Sequence, residues 1–143
     1  MLKIEEKHLL AALQRVLYAA KFDRSPEEAA EFAQSPYVAE VYRRVVDACV
    51  EAARASKKMN EVTGWQSWLV AEKNAPALNA VRGQIRITSN WNALGPQEKR
   101  DHIAVLMSPF VASEETVDAL IQEGDAMHRS DESNGDPNPT PDN

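Results

Sequence analysis

Proline punctuates this chain at places where a helix can begin but cannot continue. Ser25-Pro26-Glu27-Glu28 and Ser35-Pro36 each set a side-chain oxygen just ahead of a proline. Proline fits the first helical position because the N–H it lacks would have no partner there, and the serine oxygen can accept a neighbouring free N–H. Pro76 follows Asn74-Ala75, Pro96 follows Gly95, and Pro109 closes a segment that Pro96 opens. A chain punctuated this way folds as a series of short helices with tight connections.

The apolar spacing agrees. Leu9, Leu10, Leu13, Val16, Leu17 and Ala20 recur at three and four and predict a helix over about 4–21. A short helix with Ala29, Ala30, Phe32 and Ala33 follows Pro26. From Pro36 to about Lys58 the stripe is Val38, Val41, Val45, Cys49 and Ala52. Opposite it, Glu40–Arg44 and Arg43–Asp47 are favourable i,i+4 pairs. Asn60 to Thr63 reads as a loop, after which Thr63 and Gly64 open a segment with Trp65, Trp68, Leu69 and Glu72 on one side. Leu78 to Leu94 fits two patterns. Leu78, Val81 and Ile85 suit a helix, whereas Gly83, Ile85, Ile87 and Ser89 alternate as a strand would. A lone strand has no pairing partner, so the expectation is helix to about Ile87. The segment from Pro96 buries Ile103, Val105, Leu106 and Met107, and the last helix, capped by Ser113, carries Val117, Leu120 and Ile121.

The expected fold is therefore all-α, a single compact bundle of about six or seven helices over residues 1–128. In residues 129–143 the only apolar side chains are prolines, and the composition predicts a disordered acidic tail. The net charge of −6 is unevenly placed. Residues 1–112 hold 15 Lys and Arg against 13 Asp and Glu, while residues 113–143 hold Arg129 against nine acids. The body is near neutral and the C-terminal arm acidic.

Chemistry leaves few local traces. One cysteine excludes an internal disulfide framework and a cysteine-based zinc finger. Glu5-x-x-His8, Glu98-x-x-x-His102 and Asp125-x-x-His128 each align a carboxylate with an imidazole, but a carboxylate-bridged metal pair needs two Glu-x-x-His copies and only one exists. They read as surface pairs. Cys49 lies mid-helix on the apolar stripe, a core position. There is no Gly-x-Ser-x-Gly elbow and no glycine-rich phosphate loop. No catalytic residue, metal ligand or cofactor-binding residue emerges, and the expectation leans away from an enzyme. The N-terminus mixes Glu5 and Glu6 with Lys3 and Lys7 and lacks an unbroken apolar run, unlike a secretory signal. A cytoplasmic protein without a membrane span is expected.

Two binding surfaces remain. Trp65 and Trp68 are neighbours on one helix and offer an apolar contact. Asp118, Glu123 and Asp125 lie on a helix without Lys or Arg to pair with them, and could steer a basic partner. Together they suggest a small protein-binding regulator, adaptor or accessory factor; homo-oligomerisation is compatible with the same surfaces. The alternative is a helix-turn-helix DNA-binding regulator over residues 25–45, with Tyr37, Arg43 and Arg44 on the second helix. Glu40 among those arginines and the acidic net charge weigh against nucleic acid.

Overall fold

A computed structural model describes residues 3–134. Among them are seven α-helices: α1 (Lys7–Phe22), α2 (Pro26–Ala33), α3 (Pro36–Ala55), α4 (Met59–Trp68), α5 (Ala75–Arg86), α6 (Pro96–Met107) and α7 (Glu114–Asn134). Single 3-10 turns, Ala71–Lys73 and Trp91–Ala93, precede α5 and α6. No strand is present among the described residues; an isolated parallel bridge pairs Val70 with Val111.

The expected helix starts form as the residues dictate. Ser25 Oγ accepts from Glu28 N, Ser35 Oγ from Val38 N, Asn74 Oδ1 from Ala77 N, and Ser113 Oγ from Thr116 N. Each satisfies one N–H that the first helical turn leaves free. The ambiguous stretch resolves as helix α5, ending at Arg86. Three expectations need correction. Asn60–Thr63 is not a loop but the first half of α4, because Lys57 turns the chain with a left-handed φ of 57° and Val62 is buried in the core. The buried stripe of α3 is rotated from the expected one: Ala39, Tyr42, Val46 and Ala53 face inward with Val45 and Cys49, while Val41 is 48% exposed. Tyr42 displaces valine from the centre because Gln14 Nε2 donates to its hydroxyl oxygen at 3.1 Å, so the ring can be buried with its polar end satisfied. Finally, α7 continues to Asn134 and does not stop near His128. Of the acidic tail expected over residues 129–143, residues 135–143 lie outside the described residues.

The main core gathers Phe22, Ala29, Ala33, Tyr42, Val46, Val81, Ile85, Trp91, Ile103, Leu106 and Leu120 from all helices but α4, whose Trp65 and Trp68 pack on it from the edge. Gly83 and Gly124 permit the closest approaches: a Cβ would meet Pro26 Cγ at 2.7 Å in the first case, and both Ile85 Cγ2 and Trp91 Cζ2 at 2.7 Å in the second. Lys21 is buried, and its Nζ donates to Val105 O at 2.9 Å and Ser108 O at 2.6 Å, satisfying carbonyls at the end of α6. Burial lowers its pKa to about 7. A neutral amine has two N–H groups, enough for both carbonyls. No helix among the described residues is long and apolar enough to cross a membrane.

Candidate functional site: a tryptophan-lined groove between α1 and α4

Helices α1 and α4 run in the same sense along one side of the molecule. Lys7 Nζ reaches Glu61 Oε1 at 3.1 Å near their starts, and the Tyr18 and Trp68 rings lie 6.3 Å apart near their ends. Between these two ties the helices frame an open groove. Its first stretch, about 480 Å³, is lined by Lys7, Gln14, Glu61, Gly64, Trp65 and Trp68. Its second, about 400 Å³, continues over Gln14 and Trp68 to Arg15, Tyr18 and Asp23. A recess of about 60 Å³ opens beside Lys7, Glu61 and Trp65 and is walled by Leu10, Cys49, Ala52 and Ala53.

The indoles are placed by packing. Trp68 sits against Phe110, with ring centroids 4.6 Å apart, and Trp65 meets Trp68 edge to face at 5.3 Å and 87°. Tyr18, Phe22 and Phe110 extend the cluster into the core. The contact geometry favours this arrangement of ring quadrupoles. Both tryptophans are nonetheless only half-buried. Trp91, by contrast, is fully buried. The question left open by the sequence, core or surface, thus has a mixed answer: Trp65 and Trp68 anchor the edge of the core and wall the groove.

At the groove's start, Glu61 accepts from Lys7 and lies 3.8 Å from Lys58 Nζ. The hydrogen bond with Glu61 raises the Lys7 pKa above the ordinary lysine value. At the far end stand Arg15, bonded to Ala11 O, and Asp23. Cys49 at the base of the recess is a free, buried thiol whose pKa is raised by burial, which disfavours the nucleophilic thiolate.

The acidic residues of α7 are not available in the way the sequence suggested. Asp118 pairs with Arg100, Glu123 with Arg82 at 2.7 Å, and Asp125 with Lys99 at 2.8 Å. The bases paired with these three come from α5 and α6, and Arg129, the one base within α7, adds to the positive field at Asp125. Asp125 also accepts from Trp91 Nε1 at 2.9 Å, and the Lys99 hydrogen bond holds its carboxyl below the usual range. Its role is to fasten α7 over Trp91, which removes the ground for reading it as a steering charge. His128 is likewise no surface partner of Asp125: it is buried, bonded through Nε2 to Ile85 O at 2.8 Å and stacked on Trp91. A carbonyl can only accept, so Nε2 carries a proton.

His102 is half-buried, and burial lowers its pKa. Thr88 Oγ1 donates to Gln84 O and therefore accepts from His102 Nε2 at 3.1 Å. Neither imidazole faces the groove. Among the described residues no group of three or more His, Cys, Asp or Glu side chains could hold a metal ion.

The helix-turn-helix outline exists as α2, Gln34-Ser35 and α3. Tyr37 is 83% exposed at its corner. Arg43 and Arg44, however, both close on Glu40, at 2.6 and 2.9 Å, and Arg43 also reaches Asp47 at 3.0 Å. The arginine hydrogen bonds depress the Glu40 pKa to about 2, so this neutralising carboxylate stays charged. The α1 side of the groove, with Lys7, Gln14 and Tyr18, escaped sequence reasoning. Nothing local marks those residues, and only the pairing of α1 with α4 brings them to the tryptophans. Comparison with protein-family models, with curated proteins and with solved structures gives no match, so the groove's geometry alone carries the functional reading.

Proposed function

We propose that this chain is a non-catalytic protein-binding module, a regulator, adaptor or accessory factor, that docks its partner in the groove between α1 and α4. The observation that carries this reading is a pair of half-exposed indoles lining an open groove among polar side chains. Tryptophan is enriched among residues that dominate binding energy, and a groove with an apolar floor and a polar rim can desolvate it. The rival surfaces are spent internally: the α7 carboxylates on α5 and α6, and the two arginines of α3 on Glu40. A cytoplasmic setting belongs to the same reading and is supported by the lone free thiol.

Gly64 provides a test that spares the fold, since a Cβ there would meet nothing within 4 Å. Wild-type chain and Gly64→Gln, Asp118→Ala and Arg44→Ala variants are used in parallel for affinity capture from the native cell. A partner retained by all but Gly64→Gln supports the groove. One that tolerates Gly64→Gln but is lost with Arg44→Ala moves the site to the α2–α3 corner and overturns the proposal.

A further inference from the structure

Three of the four described glycines have an internal reason. Gly83 and Gly124 admit Pro26 and Trp91 at distances a Cβ would forbid, and at Gly95 a Cβ would crowd, at 3.3 Å, the Glu98 Oε1 that accepts the Gly95 N–H. Gly64 has none. It lies within α4, has no positive φ, and faces open space. A glycine inside a helix is destabilising relative to alanine, so a position that neither strain nor packing explains points to close approach from outside the chain.

The direction of the groove follows from its two walls. Both helices begin at the Lys7–Glu61 end, and neither start has a side-chain cap. Two first helical turns and two positive dipole ends therefore gather there, and Lys3, Lys7, Lys57 and Lys58 exceed Glu5, Glu6 and Glu61 by one charge. Both helices end toward Trp68 and Asp23, where the dipoles are negative and Arg15 and Asp23 cancel. A third helix laid antiparallel to both would place its negative end at Lys7 and Lys58 and its positive end at Asp23. An extended strand carries no such dipole and cannot satisfy its backbone groups against helix walls.

Building on the docking reading, we propose that the occupant is an amphipathic helix of a partner protein, seated antiparallel to α1 and α4 with its C-terminal end at Lys7 and Lys58 and its axis close to the α4 backbone at Gly64. Its apolar stripe rests on Trp65 and Trp68, and one side chain enters the recess walled by Leu10, Cys49 and Ala53. Acidic residues in its last turn complement the Lys7–Lys58 end.

The probe is a library of random 16-residue peptides displayed on phage and panned against the full chain, with Gly64→Gln as the counter-target. The proposal predicts binders with apolar residues at i, i+3, i+4 and i+7, acidic C-terminal turns, and at least a tenfold loss of affinity on Gly64→Gln. A nitroxide at the C-terminus of the best peptide is predicted to broaden the amide signals of Lys58 and Lys7 and spare that of Asp23. Gly64-sensitive binders that are proline-rich or extended, or that lie in the opposite sense, overturn the helix proposal while leaving the groove intact. If no binder is sensitive to Gly64→Gln, both the docking reading and this one fail.

Discussion

Gly64→Ala and Gly124→Ala make the same chemical change in two helices and should have opposite effects. At Gly124 the new methyl would sit 2.7 Å from Ile85 Cγ2 and Trp91 Cζ2, and 2.9 Å from Trp91 Cε2. None of these is the loose end of a flexible side chain, and Trp91 is further fixed by its bond to Asp125. Overpacking a core costs about 1–3 kcal/mol, and three contacts under 3.0 Å on groups that cannot swing away put this one at about 2–3 kcal/mol. Alanine's better helix propensity returns about 1 kcal/mol of that, leaving a net loss of about 1–2 kcal/mol. At Gly64 only the propensity term operates, and the variant should gain about 1 kcal/mol, or roughly 3 °C in midpoint. Urea unfolding followed by tryptophan fluorescence and by far-ultraviolet circular dichroism measures both. A Gly124→Ala protein as stable as wild type would refute the packing of α7 on Trp91. A destabilised Gly64→Ala would mean that the α4 face is covered within the chain, and the groove would lose its meaning.

The buried Lys21 gives a pH dependence. Its folded pKa of about 7 lies below the unfolded value of 10.5, so the native state binds fewer protons and stability rises from pH 7 to 8.5, by about 2 kcal/mol at most; Lys21→Met should flatten that rise in paired denaturation curves. A wild type with no rise would show that Lys21 stays charged on its two carbonyls. Asp125→Ala strips the acceptor from Trp91 Nε1 and Lys99 and should cost about 1–3 kcal/mol, whereas Asp118→Ala, an exposed pair, should cost under about 1 kcal/mol; equal costs would contradict the clasp over Trp91. Val46→Asp should abolish cooperative folding, while Val41→Asp should stay within about 0.5 kcal/mol of wild type; equal damage would restore the unrotated stripe.

Local chemistry was legible and distant chemistry was not. Ser25, Ser35, Asn74 and Ser113 each act within three residues of themselves, so their caps could be read directly. The sequence leaves the α3 stripe open because Val41 and Tyr42 are both candidates for the inward face, and the outcome depends on Gln14, twenty-eight residues away in sequence. The acidic helix looked unpaired because its bases, Arg82, Lys99 and Arg100, stand on other helices. Lys21 would pass for an ordinary surface lysine until the end of α6 is seen to rest on it. At the groove, the sequence supplied Trp65 and Trp68; the opposite wall required the fold.

The docking claim is tested most directly by amide hydrogen exchange on the full chain with and without its captured partner. The account predicts that added protection concentrates in residues 7–18 and 59–68, the two walls of the groove, with little change in α7 or at the α2–α3 corner. Protection centred on residues 114–127 or 32–44, with α1 and α4 unchanged, would contradict it.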